Sequence, residues 1–75
     1  MAQSVVVEVE WDAEASVWIA ASPQIGLFTE ANMLDELRRR IPPIASDLLV
    51  DDPSQPIDLH IELLVRFDET VPAAA

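Results

Sequence analysis

The stretch from Ile57 to Phe67, IDLHIELLVRF, decides the fold because it holds the longest alternation of apolar and polar residues in the chain. Every odd-numbered position of the stretch is apolar, whereas the even-numbered positions are mostly polar. A repeat of two is the side-chain period of a β-strand. The stretch therefore predicts a C-terminal strand with one dry face and a second face that carries Asp58, His60, Glu62, Leu64 and Arg66.

Three shorter strand patterns precede it, at residues 4–11, 17–21 and 27–30. The first, SVVVEVEW, alternates apolar and polar residues over most of its length, and the second, VWIAA, begins with β-branched and aromatic residues that favour strands. A turn that contains Pro23 and Gly26 separates the second strand from the third, because proline lacks a ladder donor and glycine tolerates a left-handed backbone. The three segments predict an antiparallel meander.

The apolar repeat changes from two to three and four after Asn32, which predicts an amphipathic helix. Asn32 is the expected N-cap of this helix. Acid-before-base pairs four residues apart, Asp35 with Arg39 and Glu36 with Arg40, are expected on its exposed side. The apolar stripe of the helix consists of Leu34, Leu37, Ile41, Ile44 and Leu48.

Two consecutive prolines interrupt this stripe near its middle. Pro42 and Pro43 remove two backbone donors, at a cost of roughly 3 kcal/mol for each proline in a regular helix interior. Because the stripe continues in phase through Ile44 and Leu48, we predict a bent helix or two consecutive short helices, with Pro43 near the start of the second. The composition of residues 51–56 predicts a loop after the helix.

These elements predict an α+β fold with the order β-β-β-α-β. The helix is a crossover between the third and fourth strands, so the fourth strand returns parallel to the first. The four-stranded mixed sheet then has the strand order 3-2-1-4, with one proline-kinked helix on one face and nothing on the other. We expect residues 1–75 to form a single domain, ordered over about 4–69, with a tail at 70–75.

Composition narrows the class of protein. The chain has 75 residues, no cysteine, and 14 acidic against 4 basic residues, for a net charge of −10. Nucleic acid and anionic membranes repel such a surface, whereas a basic protein is attracted to it. No apolar run approaches the roughly 20 residues of a membrane span, and the N-terminus has no signal-peptide pattern. We therefore predict a cytoplasmic protein with no membrane partner and no direct nucleic-acid partner.

The sheet face that the helix leaves open is the predicted functional surface. Glu8 and Glu10 on the first strand are expected beside Asp58, His60 and Glu62 on the fourth strand. If the two strands are neighbours, these side chains form an acidic stripe across the middle of the sheet.

Large apolar side chains are expected on the same face. We predict that Trp18 and Ala20 point outward from the second strand and Leu64 from the fourth, whereas the pattern does not decide between Leu27 and Phe28. An exposed apolar patch on a small monomer marks an interface. The candidate interface residues are Trp18, Phe28, Leu64, Glu8, Glu10, His60 and Glu62.

Catalytic motifs do not occur in the sequence. It has no nucleophile elbow, no glycine-rich phosphate loop and no pair of histidines at metal-ligand spacing. We predict a domain that is not an enzyme and needs no cofactor or metal. The alternatives are a structural domain that associates with itself, and a vestigial metal-dependent nuclease that uses Glu8, Glu10, Asp58 or Glu62.

The stretch VWIAASPQIGLFTEANMLDEL, residues 17–37, resembles the signature of HicB-like antitoxin domains. In that family an aromatic strand, a proline turn, a glycine before a short strand and a polar helix start follow one another in this order. The resemblance is closest to a small uncharacterised HicB-like branch, and it covers roughly residues 5–65. The residues that carry it are Trp18, Pro23, Gly26, Thr29, Asn32, Leu34, Glu36 and Leu37.

This resemblance implies a partial ribonuclease-H-like sheet without nuclease activity. Domains of this type often bind a small basic toxin that cleaves RNA, and HicB-like domains commonly oligomerise through the sheet. The operator-binding segment of full-length HicB antitoxins has no counterpart in this sequence, so DNA binding is not implied. The implied function is a protein-interaction domain that binds such a toxin, itself, or both.

Overall fold

The computed structural model of the protein describes residues 2–50, 52, 54 and 57–73. The predicted loop at 51–56 and the end of the predicted tail, at 74–75, lie partly outside the described residues. The elements are β1 (Ala2–Asp12), β2 (Val17–Ser22), β3 (Leu27–Ala31), α1 (Leu34–Leu49) and β4 (Asp58–Arg66).

The sheet has the strand order β3-β2-β1-β4, which confirms the predicted topology. β1 pairs antiparallel with β2 and parallel with β4, and β3 pairs antiparallel with β2. A parallel return requires a crossover, and α1 provides it. The fold is α+β, as the alternation of residues 57–67 predicts.

The hydrophobic core lies between α1 and one face of the sheet. Because side chains alternate along a strand, the valines at odd positions of β1 share this face. Val5, Val7 and Val9 are fully buried. Their buried neighbours in the core are Ala20, Leu27, Ala31, Leu37, Ile41 and Ala45.

The β1–β2 hairpin closes through residues 13–16, with Asp12 opposite Val17. The Asp12 carboxylate accepts hydrogen bonds from the N–H groups of Glu14 (3.1 Å) and Ala15 (3.3 Å), and Ser16 adopts a left-handed φ of 55°. This Asx-type turn fixes the register of the two strands.

The register of this hairpin corrects two sequence predictions. Trp18 lies opposite Trp11 and Ala20 lies opposite Val9. Residues that face each other across two strands project from the same side of a sheet, so Trp18 and Ala20 point to the side covered by α1 and not to the open face. The prediction failed because it assigned the faces of β2 without the loop length, and a four-residue loop places an even-numbered residue of β2 opposite an odd-numbered residue of β1.

The turn between β2 and β3 has the glycine where a left-handed backbone is needed. Gly26 has a φ of +72°. The N–H of Ile25 donates to the carbonyl of Ser22 at 3.2 Å, and the N–H of Gly26 donates to the carbonyl of Pro23 at 3.3 Å. These bonds close the turn and reverse the chain into β3.

The helix begins later than the sequence predicts. Met33 is its N-cap and makes no side-chain capping bond, so the assignment of Asn32 as N-cap is wrong. The N–H of Leu37 donates to the carbonyl of Met33 at 3.0 Å, which starts the helical ladder there. Asp35 and Glu36 in the first turn still complement the helix dipole.

Pro42 and Pro43 lie inside a single uninterrupted helix, so the two-helix alternative is wrong. Both prolines are exposed, as are Arg38 and Arg39, whose carbonyls lose their usual donors four residues later. Exposure lets water satisfy these carbonyls, while the buried side of the helix keeps Ile41 and Ala45 in the core.

One of the two expected ion pairs on α1 forms. Arg40 binds Glu36 on the helix and also donates through Nη1 to the carbonyl of Glu30 at 2.9 Å, which ties α1 to the end of β3. Glu36–Arg40 is the one ion pair among the described residues, so the predicted pair of Asp35 with Arg39 is not formed. Both partners are about half exposed, so the pair adds at most about 0.5 kcal/mol.

Asp52, just beyond the helix, is held by a local hydrogen-bonded turn. Its Oδ1 accepts from the hydroxyl of Ser54 at 2.7 Å and from the N–H of Ser54 at 3.0 Å. Both bonds stabilise the carboxylate and so lower the pKa of Asp52 below its ordinary value, the bond from the Ser54 hydroxyl more than the bond from the Ser54 N–H.

No helix in the described part of the chain has the length and apolar character of a membrane span.

Replacing Ser22 should stabilise the protein. Its Oγ is buried on the helix side of the sheet and has no hydrogen-bond partner in the structure. An unsatisfied buried hydroxyl costs about 1–3 kcal/mol, so Ser22→Ala is expected to raise the free energy of unfolding by about 1 kcal/mol after the loss of packing.

Urea denaturation measures this change, and Ser4→Ala, on an exposed position of β1, is the control that should change little. A loss of stability in Ser22→Ala would show that the hydroxyl is hydrogen-bonded.

Candidate functional site

The candidate site is the sheet face on the side opposite α1, which we call the open face. It is formed by the even-numbered residues of β1, β3 and β4 and by the odd-numbered residues of β2. No element in the described part of the chain packs on it. Its residues are Ser4, Val6, Glu8, Glu10, Asp12, Val17, Ile19, Ala21, Phe28, Glu30, Asp58, His60, Glu62, Leu64 and Arg66.

Apolar side chains are strongly exposed on the open face. Phe28 is 67% exposed, Leu64 49% and Val6 42%. Ala21 lies opposite Phe28, and Glu8 lies opposite both Ala21 and Leu64, so a single row across the sheet runs from Phe28 to Leu64. A row of this kind spans all four strands and gives a partner an apolar contact at each end.

The acidic residues form a diagonal band and not the straight stripe that the sequence predicts. Glu62 lies opposite Val6, whereas Glu8 lies opposite Leu64 and Glu10 opposite Arg66. The acids of β4 are therefore offset along the sheet from those of β1, because the parallel register starts with Asp58 beside residue 2. Glu62 and Glu8 are diagonal neighbours on the two strands.

The structure brings together six of the seven candidate interface residues. Phe28, Leu64, Glu8, Glu10, His60 and Glu62 share the open face. The register also decides between the two candidates at the start of β3, since Leu27 is buried and Phe28 points outward.

Trp18, the seventh, belongs to an aromatic cluster on the opposite side. Its ring centroid lies 5.2 Å from that of Trp11 and 5.9 Å from that of Phe67. Tilted rings at these separations stabilise one another in addition to the area they bury. A substitution at Trp18 therefore tests folding and not the open face.

Sequence reasoning missed three apolar members of the site, Val17, Ile19 and Ala21, although the period of β1 already places Val6 on the same face as Glu8 and Glu10. All three required the hairpin register, which the length of the loop at 13–16 encodes.

A metal site does not emerge from this geometry. Among the described residues, no group of three or more histidine and acidic side chains is close enough to hold an ion. The offset between Glu8 and Glu10 on β1 and Asp58 and Glu62 on β4 explains why, since the carboxylates do not converge. The nuclease alternative has no support in this arrangement.

The chain exposes more surface than a compact monomer of its mass. Its accessible surface is 5777 Å², against about 4600 Å² expected for a folded chain of 8.3 kDa. Its Cα radius of gyration is 15.3 Å, against about 11 Å for a compact domain of this length. Residues 67–73, which follow β4 without secondary structure and are all exposed, contribute to both excesses.

Fold and site together define a small α+β domain whose mixed sheet is covered on one face by a single helix. Residues 4–72 match the family described as Domain of unknown function (DUF1902), and the chain belongs to this family. No curated protein matches the chain.

A solved structure shares the fold. The crystal structure of the hypothetical protein TTHA1013 from the extremely thermophilic bacterium Thermus thermophilus is 30% identical in sequence, with a TM-score of 0.63. The match covers 95% of this chain and 100% of the other, so the whole of that protein corresponds to this domain.

Proposed function

We propose that the protein is a non-catalytic interaction domain that binds a small basic protein through its open face. The observation that carries this proposal is the exposure of Phe28, Leu64 and Val6 on a face that no other part of the described chain covers. Apolar groups at this density are costly in water, and a partner removes them from it.

The charge of the open face favours a basic partner. Six carboxylates lie on it, against one guanidinium, that of Arg66. The other three arginines of the chain lie on α1, on the far side of the sheet. A basic protein is attracted to the acidic side and orients toward it before contact.

The chemistry of the partner follows from the resemblance to HicB-like antitoxin domains. In that family the partner is a small basic toxin that cleaves RNA. The acidic open face suits a protein whose own surface binds RNA phosphates, because the open face and RNA both present negative charge to that surface. Inhibition then consists of occupying the RNA-binding surface of the toxin.

The proposal predicts that a small basic RNA-cleaving protein is encoded beside this one, and the test is a titration with that protein. Isothermal titration calorimetry should show one binding event whose affinity falls when salt is raised, since ion pairs across the interface are screened. RNA cleavage by the partner should stop at equimolar antitoxin-like domain. Absence of binding heat and undiminished RNA cleavage would contradict the proposal.

Self-association is the second candidate function, and the exposed apolar side chains of Leu64, Val65 and Phe67 favour it. Two open faces packed against each other would bring the carboxylates of both copies together, at an electrostatic cost. A second copy is therefore better accommodated elsewhere on the molecule than on the open face.

A further inference from the structure

The outer edge of β4 is a long strand edge that no element of the described chain covers. β4 has nine residues and lies at the end of the sheet, so one side of its backbone has no partner in the described chain. It contains no proline, and its register with β1 is continuous, without a bulge. The opposite edge, β3, has only five residues. Natural proteins shorten, bend, charge or cover such edges, because an open edge pairs with other strands.

Exposed apolar side chains concentrate at the C-terminal end of this edge. Leu64 is 49% exposed, Val65 46% and Phe67 53%. They project from both faces of the sheet, since Leu64 lies on the open face and Val65 and Phe67 on the side of α1, where Phe67 contacts Trp18. A helix or a ligand on one face would cover only some of them, whereas a strand added at the edge contacts both sets.

The charged residues of this segment are self-complementary in one antiparallel register. If Leu64 lies opposite Leu64 of a second copy, Glu62 faces Arg66 and His60 faces Asp68, each twice by symmetry. On the other face Leu63 meets Val65 and Ile61 meets Phe67. Opposite charges and apolar pairs in facing positions each stabilise a sheet by about 0.2–1 kcal/mol.

The neighbouring registers are worse. A register centred on Glu62 pairs Asp58 with Arg66, twice by symmetry, but places the Glu62 carboxylate opposite itself at its centre. One centred on Leu63 places Asp58 opposite Asp68 and leaves Glu62 opposite Leu64, and one centred on Val65 places Glu62 opposite Asp68. Like charges in facing positions destabilise a sheet, so the register centred on Leu64 is preferred.

We propose that two copies of this chain pair through their β4 edges, antiparallel, with Leu64 on the two-fold axis. The product is a continuous eight-stranded sheet in which residues 67–68 extend β4. The two open faces lie side by side on the same surface, because facing residues of paired strands project to the same side. Phe28, Val6 and Glu8 stay free on each open face for its own basic partner, so this inference does not depend on the proposed function.

Single cysteines test the register, since the natural sequence contains none. Facing Cα atoms in an antiparallel pair lie about 4.5–5.5 Å apart, within the span of a disulfide. Under mild oxidation Leu64→Cys should become cross-linked, whereas Glu62→Cys, the reporter of the competing register, should stay monomeric. Phe28→Cys, at an exposed site on the other edge strand, is the matched control and should also stay monomeric.

Other patterns of cross-linking contradict the proposal. Preferred cross-linking of Phe28→Cys would indicate contact between open faces, and preferred cross-linking of Glu62→Cys would indicate the other register. A wild-type chain that sediments as an 8.3 kDa monomer at the highest soluble concentration would overturn the edge pairing itself.

Charge reversal gives a second, independent test by sedimentation. Glu62→Arg alone places two cations opposite each other, and Arg66→Glu alone places two carboxylates opposite each other, so each variant should shift from dimer to monomer. A mixture of the two variants restores both ion pairs and should form a heterodimer. Circular dichroism must show that each variant folds, since Arg66 also faces Glu10 within the chain. Two folded variants that remain monomeric when mixed would contradict the register.

Discussion

Leu37→Ala is expected to lower the free energy of unfolding by about 3 kcal/mol, the cost typical of removing a buried leucine side chain. Leu37 is fully buried, and it belongs to the cluster that joins α1 to the valines of β1. A domain this short has a total stability of only about 5 kcal/mol, because a small core buries a limited fraction of the chain. The substitution should therefore leave the protein close to its unfolding transition at room temperature.

Chemical denaturation followed by circular dichroism measures this loss. Leu48→Ala is the matched control, because Leu48 lies on the same helix but is 45% exposed and should cost less than about 1.5 kcal/mol. Equal losses in the two variants would show that the helix does not pack on the sheet through the side assigned here.

Phe28→Ala is expected to weaken binding of the basic partner by about 30-fold, which corresponds to about 2 kcal/mol for an aromatic side chain that a partner buries in an interface. Because Phe28 is 67% exposed in the free protein, its removal should leave the free energy of unfolding nearly unchanged. The variant does not alter any charge, so it isolates the apolar contribution of the open face from the electrostatic one.

Calorimetric titration of the variant with the same partner provides the measurement. Met33→Ala is the control, since Met33 is 63% exposed and precedes α1, away from the open face. Comparable weakening by both substitutions would show that exposed apolar area in general, and not the open face, governs binding.

The strand order was predictable because two local patterns determine it. The alternation at 57–67 and the change to a helical repeat after Asn32 leave one simple topology, in which a crossover returns β4 beside β1. Burial confirms the same periodicity, since Val5, Val7 and Val9 lie in the core.

The sides of β2 were not predicted correctly, because they depend on hairpin register and not on the strand itself. VWIAA is apolar at every position, so its composition does not distinguish Trp18 from Ile19. The Asx-type turn at Asp12 and the left-handed Ser16 set the loop length, which places Trp18 beside Trp11. Trp18 was predicted to lie on the open face, but it lies on the side of the sheet that α1 covers.

The predictions of the helix start and of the acidic stripe failed for related reasons. Asparagine is a residue type that favours the N-cap, but the helix has not yet begun at Asn32. Met33 is the N-cap instead. The acids of β1 and β4 were correctly assigned to one face, but their offset depends on the parallel register, which no single strand encodes.

Nuclear magnetic resonance tests the central claim most directly, through the amide shifts of the labelled protein as the unlabelled basic partner is added. The account predicts that the largest changes fall on β3, β2 and β1 around Phe28, Ile19 and Glu8, while amides on the exposed side of α1 such as Arg38 and Asp47 stay in place. Changes confined to α1, with the sheet amides unmoved, would contradict the claim that the open face is where another polypeptide binds.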